Sequence, residues 1–246
     1  MKILQTTHVN FGSFLVIEND LIGQFMINHG FWENHLIYIY SNLIKPTDTI
    51  LDAGANIGFH TVQFARLGSK VYAYDPQPMV FNILSANILI NGVTEKVEQY
   101  RLGLSDKVGT MKMESLSKHD QKNGMHNFGG RGLTNDETGE ESVELVTFDR
   151  DVDVIKIDIQ GSEIYAFRGM ESVIDRCEPW IMLENYEDGD NDKKVLQFLL
   201  NKGYIVYRLM HNHNEDCFAF KPDLEKHNTI KDTLESIKEF KYKIHK

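Results

Sequence analysis

The chain predicts a doubly wound α/β domain, a parallel sheet with helices on both faces. Three observations lead there. From residue 49 onward, short apolar runs alternate with stretches of helical periodicity. The first run, Thr49-Ile50-Leu51-Asp52, opens directly into a glycine-rich turn, and a later one, Val154-Ile155-Lys156-Ile157-Asp158, again ends on a carboxylate. Alternating strands and helices are joined by crossovers, and crossovers make parallel sheets.

Each element follows in order. Residues 1–20 read as a β-hairpin, with Ile3 and Leu4 facing Phe14-Leu15-Val16-Ile17 across a turn marked by Asn10 and Gly12. Residues 21–44, dense in groups such as Phe25, Trp32, Leu36 and Tyr40, predict one or two helices broken at Gly30. Residues 1–45 therefore form an N-terminal hairpin and helical cap. The core, 46–222, starts at the turn Lys45-Pro46-Thr47-Asp48. It continues with strand 49–52, helix 58–67, strand 71–74 and helix 81–90. That helix carries Ile83, Leu84, Asn87, Ile88 and Asn91 on one face and ends at Gly92. Strands follow at 97–102, 154–159 and 180–184, then a helix at 193–201 stopped by Gly203. The closely spaced runs 204–209 and 217–220 predict an antiparallel hairpin at one sheet edge. Residues 115–141 break the rhythm and are rich in Gly, Asn, His and charge, as expected of a long loop or lid. The segment 223–246 spaces Ile230, Leu234, Ile237, Lys241 and Ile244 as a C-terminal helix whose end is crowded by Lys238, Lys243 and Lys246.

Composition narrows the function. The chain has 246 residues, 41% of them apolar, which suffices for a large single core and excludes a disordered chain. A formal charge of −10, from 26 basic and 36 acidic residues, argues against a dedicated nucleic-acid binder. Cys177 and Cys217 read as reduced core thiols. The opening MKILQTTHVNFG lacks the apolar run of a signal peptide, and the longest uncharged stretch, 81–94, is too short to span a bilayer. A cytoplasmic protein is expected, of unspecified oligomeric state. His211 and His213 read as solvated loop residues.

Three motifs carry chemistry. In Leu51-Asp52-Ala53-Gly54-Ala55-Asn56-Ile57-Gly58 a strand enters a helix through Gly54 and Gly58, where α/β sheets bind ligands. The glycine spacing is not that of a dinucleotide fingerprint. Asp52 would repel a pyrophosphate but attract the ammonium of an aminoacyl ligand, which favours S-adenosylmethionine over a nicotinamide cofactor. Asp75, ending strand 71–74 and followed by Pro76 and Gln77, is placed to accept ribose hydroxyls. In Val154–Glu163, alternation puts Lys156, Asp158 and Gln160 on one face of a strand whose neighbours are apolar. Burying Lys156 and Asp158 costs several kcal/mol unless they pair, so Asp158 at the strand end is a catalytic candidate with Lys156 holding it ionised from below. Glu184 should reach the same rim, and Glu163 starts the next helix. A structural ion pair is the competing explanation.

These segments (TILDAGANIG, YAYDPQ, NILSANILING, VIKIDIQGSE and IMLE) resemble the FkbM-type methyltransferases over about residues 30–222. The resemblance implies a class I methyltransferase fold, Rossmann-like, with a seven-stranded sheet and one antiparallel edge strand. It implies S-adenosylmethionine as cofactor and O-methylation of a sugar, glycan or related metabolite hydroxyl. By position it implies a cofactor site of Asp52, Gly54, Ala55, Asn56, Gly58, Asp75, Pro76, Gln77, Leu104, Ser105 and Asp158, with Glu33 from the cap segment Phe31-Trp32-Glu33. Two departures stand out: Asp75 where the family usually has Glu, and Gln160 where it has a second acid. The latter places metal dependence in doubt, although Asp158 and Glu184 together would suit a weak Mg²⁺ site.

The resulting expectation is methyl transfer to an alcohol with Asp158 as base, Lys156 and Glu184 assisting, and His126 or His119 as weaker bases. Asn127, Gly129, Gly130, Arg131 and Glu163 are candidate acceptor contacts, Arg131 for a phosphate or carboxylate. The alternatives are a non-catalytic module that keeps the cofactor pocket, or a methyltransferase acting on nucleic acid.

Overall fold

The structure is a computed structural model that describes residues 2–8, 10–120, 124–186, 189–210, 215–237 and 240–246. His211, His213 and Lys238 lie outside the described residues. The chain opens with the expected hairpin, β1 (Ile3–His8) and β2 (Gly12–Ile17), followed by helices α1 (Leu21–His29) and α2 (Asn34–Ser41). Gly30 separates the helices at φ 81°, a left-handed conformation that glycine adopts without steric cost. Then come β3 (Thr49–Ala53), α3 (Phe59–Arg66), β4 (Lys70–Tyr74), α4 (Pro78–Ile90) and β5 (Val97–Tyr100).

The stretch after β5 is not structureless. β6 (Gly103–Leu104), β7 (Gly109–Met113), β8 (Leu133–Thr134) and β9 (Ser142–Val146) make a separate four-stranded sheet in the order β6-β9-β7-β8. The 115–141 segment is therefore largely the long loop of the β7–β9 hairpin. The chain returns through β10 (Val154–Ile157), α5 (Glu163–Gly169), α6 (Glu171–Cys177), β11 (Trp180–Glu184), α7 (Asp190–Asn201), β12 (Ile205–Leu209) and β13 (Asp216–Phe220). It ends with α8 (Asn228–Ser236) and β14 (Tyr242–His245).

The central sheet has eight strands in the order β14-β12-β13-β11-β10-β3-β4-β5. Its β11-β10-β3-β4-β5 portion is parallel, whereas β13 is antiparallel to both β11 and β12. Two expectations are corrected here. The sheet has eight strands rather than seven, and two of them run against the rest: β13, between β11 and β12, and the edge strand β14. The tail is helical only through Ser236: Tyr242–His245 pairs antiparallel with β12, covering backbone groups that an edge strand would leave open. Strand alternation sorts the core into two layers. Ile50, Val71, Ala73 and Val154 face the hairpin, α3 and α4, while Leu51, Tyr72, Ile155 and Ile157 face α5–α7.

Two asparagines join the cap to this framework. Asn87 on α4 and Asn91, one turn on at the helix C-cap, present their amides to the edge of β2. Asn87 accepts from Leu15 N (2.7 Å) and donates to Leu15 O (3.0 Å) and Ile57 O (2.7 Å). Asn91 accepts from Ser13 N (3.2 Å) and donates to Ser13 O (2.7 Å). The amides thus satisfy strand groups as a neighbouring strand would.

Candidate active site

The carboxyl ends of β3, β4, β10 and β11 open into a cavity of about 320 Å³, closed by the cap and by the β7–β9 hairpin. This is the size of a small-molecule site. Its glycine turn is shaped by contact. Gly54 has φ 82°, and a Cβ there would lie 1.8 Å from Asp158 O, so the ends of β3 and β10 meet at a place only glycine fits. Asn56 follows at φ 50°. Gly58, at φ 86°, lies against Leu84 of α4 and outside the cavity wall; its role is helix packing.

Ala55, Asn56, Asp75, Pro76, Gln77 and Leu104 line the cavity. Asp75 is buried, its Oδ2 accepting from Asn56 N (3.0 Å) and its Oδ1 from Gln77 N (2.9 Å). Burial pushes its carboxyl up to about 7 against the pull of those two backbone donors. Each oxygen keeps acceptor capacity for a ligand hydroxyl. Ser105 is buried behind the wall, with its N–H on Val146 O (2.9 Å).

Asp52 is fully buried and does not reach the cavity, contrary to the expected contact with a ligand ammonium. The register sets it opposite Lys156, whose Nζ lies 3.5 Å from Asp52 Oδ1, while Thr61 Oγ1 donates to Asp52 Oδ2 at 2.5 Å. Lys156 is thus first the partner of Asp52, and also donates to Gly54 O (3.4 Å) beneath the glycine turn. Burial alone would lower its ammonium, but Asp52, Asp158, Glu33 and Glu184 together hold it above the ordinary lysine value.

Glu33 does line the wall. Its Oε2 meets His60 Nε2 at 2.9 Å, and the His60 hydrogen bond and charge outweigh burial to hold the carboxyl below its usual value. Asp158 and Glu184 stand on the floor, bridged by Gln160, whose Nε2 donates to Asp158 Oδ1 (2.6 Å) and Glu184 Oε2 (2.7 Å). Tyr186 OH donates to Glu184 Oε1 at 3.0 Å. Burial and the adjacent Asp158 charge push the Glu184 carboxyl well up.

Three other expectations are corrected. His126 lies outside the cavity wall, with Nδ1 on Asp120 Oδ1 (2.6 Å), and its backbone joins Asn19 and Leu21 of the cap; His119 is held by Glu114 (3.0 Å). Arg131 is buried with its donors engaged: Nε on Glu114 O (2.9 Å), and the guanidinium on Gln77 Oε1, Glu141 and Glu140 (3.2–3.4 Å). It braces the wall and offers no fork to an acceptor phosphate. Glu163 is buried outside the cavity and staples its own turn, accepting from Ile159 N and Gly161 N (both 3.1 Å) and from Asn191 (2.7 Å). Asn127 lines the wall and accepts from Gly130 N (3.1 Å). Among the described residues no set of three or more His, Cys, Asp or Glu could hold a metal, and no helix is long and apolar enough to cross a membrane.

Sequence reasoning missed His60, Tyr186 and Glu215, all on the wall. Tyr186 was signalled only by following Glu184. Nothing local marks His60 or Glu215. Asp20 was also missed: it caps α1 at Gly23 N (3.1 Å) and accepts from Phe128 N (3.0 Å), tying the cap to the hairpin loop.

The Methyltransferase FkbM domain model matches residues 52–206, from the end of β3 into the start of β12. The chain belongs to the FkbM methyltransferase family. It is 23% identical over 197 residues to Methyltransferase sdnD of Sordaria araneosa, covering 65% of this chain and 74% of that protein. To the 31-O-demethyl-FK506 methyltransferase FkbM of Streptomyces tacrolimicus it is 34% identical over 86 residues, 34% of this chain and 32% of that protein. The crystal structure of Methyltransferase FkbM from Methylobacillus flagellatus KT shares the fold at TM-score 0.54 and 16% identity, over 74% of this chain and 47% of that one. This chain therefore spans less than half of that crystallised FkbM relative.

An FkbM methyltransferase draws its methyl group from S-adenosylmethionine, and the wall fits that molecule. Asp75 offers an acceptor for ribose, Gly54 allows close backbone approach, and the acidic floor suits a ligand bearing ammonium and sulfonium charges.

Proposed function

We propose that this chain is an O-methyltransferase acting on a hydroxyl of a sugar, glycan or related small metabolite. The observation that carries the reading is the Asp158–Glu184 carboxylate pair on the cavity floor, at the strand ends beside the glycine turn. S-adenosylmethionine, when bound, supplies an activated methyl group. The protein's share is placement and proton removal. Asp75 accepts ribose hydroxyls, and Glu33 and Lys156 set the charge of the floor. An alcohol loses its proton only as the new bond forms, so a base must stand beside it. Asp158 takes that proton on its carboxylate, with Glu184 beside it on the floor.

Transfer of label from radiolabelled S-adenosylmethionine into a panel of sugars, glycans, sugar nucleotides and tRNA tests the reading. Label in a neutral hydroxyl acceptor is expected. Label in tRNA would replace it with a nucleic-acid methyltransferase, and S-adenosylhomocysteine binding without any transfer with a non-catalytic module. With an acceptor in hand, Asp158→Asn should lower turnover at least about a hundredfold and leave S-adenosylhomocysteine affinity nearly unchanged. Wild-type turnover in that variant would remove Asp158 as base.

A further inference from the structure

The turn after β10 holds a residue in a conformation that side chains avoid. Gln160 has φ 52°, in the left-handed region that favours glycine. Strain of this kind persists where surrounding contacts over-determine it. The contacts here are two: both hydrogen bonds of Nε2 go to carboxylates, at 2.6 Å to Asp158 and 2.7 Å to Glu184. The backbone is boxed in as well, since a Cβ on Gly132 would lie 2.7 Å from Gln160 O. Gln160 itself lines the cavity.

Two carboxylates that converge on one point from neighbouring strand ends make half of a site for a hard divalent cation, which takes oxygen ligands at about 2.0–2.6 Å. The amide nitrogen stands at that point. Its N–H groups give each carboxylate a donor, as a cation would give each a positive neighbour, but they add no charge and need no other ligands.

We propose that Gln160 is a positioning residue that takes the place of a bridging cation, fixing the Asp158 carboxylate for the acceptor and freeing the pair from divalent metal. This rests on the reading of Asp158 as base, and the test separates the two. Calorimetric titration of the full chain with MnCl₂ needs no acceptor. Gln160→Glu, which turns the donor into a third carboxylate, should bind Mn²⁺ at least about tenfold more tightly than wild type. In label transfer, wild-type turnover should be unchanged by EDTA. Gln160→Ala should lose at least about tenfold in kcat with KM for S-adenosylmethionine within about twofold. Gln160→Glu should be inactive in EDTA and regain turnover with Mn²⁺. Equal Mn²⁺ affinity in wild type and Gln160→Glu, loss of wild-type turnover in EDTA, or a wild-type kcat in Gln160→Ala would each overturn the proposal. Should Gln160→Ala fail to fold, the isosteric Gln160→Glu still decides it through Mn²⁺ binding and rescue. Should no acceptor take label in wild type, the hydroxyl-methylation reading falls, while the Mn²⁺ titrations still judge the amide.

Discussion

Asp75 and Asp52 look alike in sequence, each an acid at the end of a short apolar strand, yet only Asp75 meets the cavity. The difference lies in register: Asp52 has Lys156 opposite it on β10, and the pair closes on itself beneath the turn. Cross-strand register is a long-range property, so the local pattern marks both acids and cannot separate them. Asp75 carries a pH prediction. Its carboxyl sits at about 7 in the fold against 3.8 for an ordinary Asp. Between those values the folded chain holds a proton that the unfolded chain has lost, so this group's contribution to stability falls as pH rises through the window. Ribose hydroxyls prefer the ionised acceptor. S-adenosylhomocysteine affinity should therefore rise between pH 6 and pH 8, and Asp75→Asn should flatten the rise in calorimetry. A rise unchanged in Asp75→Asn would place the titrating group elsewhere.

At the level of elements, the alternation of strands and helices was legible because each crossover needs its own apolar face. Helix α4 shows the limit. Its apolar positions are readable, but Asn87 and Asn91 share the face as amides clamping β2, a pairing that depends on residues far along the chain. Asn87 is fully buried and uses one acceptor and two donor bonds. Asn87→Leu would leave three backbone groups without their partner, Ile57 O buried and Leu15 N and O part-buried, so a loss of about 2–4 kcal/mol is expected. A thermal melt should show a drop of several degrees, with faster proteolysis within residues 1–20. An unchanged melt would mean the clamp is dispensable. The tail misleads for the opposite reason: Ile230, Leu234 and Ile237 are helical in spacing and buried, but the same spacing continued to Lys241 and Ile244 by accident. The open edge of β12 decided that segment.

The whole molecule adds a second titration. His227 is buried beside Lys221, its Nδ1 accepting from Lys221 N at 3.0 Å. Burial, and then the Lys226 charge, lower its imidazole to about 4 from 6.5. Between those values the unfolded chain binds a proton that the folded one refuses, so stability is full above about 6.5 and is lost as pH falls toward 4. The loss from this residue should be about 1–2 kcal/mol after allowance for solvent screening. Chemical denaturation at pH 7 and pH 5 should show it, and His227→Asn should shrink the difference; an equal difference in both proteins would assign it to other groups. The eight-stranded sheet was largely foreseen because each strand announces itself. The four-stranded sheet was not, because its order β6-β9-β7-β8 arises from pairings across a long loop with no period of its own.

That smaller sheet bears on how acceptors could change over time. Gln77, two residues after Asp75, donates to Phe128 O (3.0 Å) and accepts from Arg131 (3.2 Å), so the turn after β4 is riveted to the outer hairpin. Beyond that rivet the hairpin can lengthen, shorten or alter its lining while the parallel strands stay as they are. A scaffold arranged in this way lets chemistry stay fixed as clientele diversifies, and grafting a foreign hairpin that keeps the Gln77–Arg131 junction would be the economical route to a new clientele.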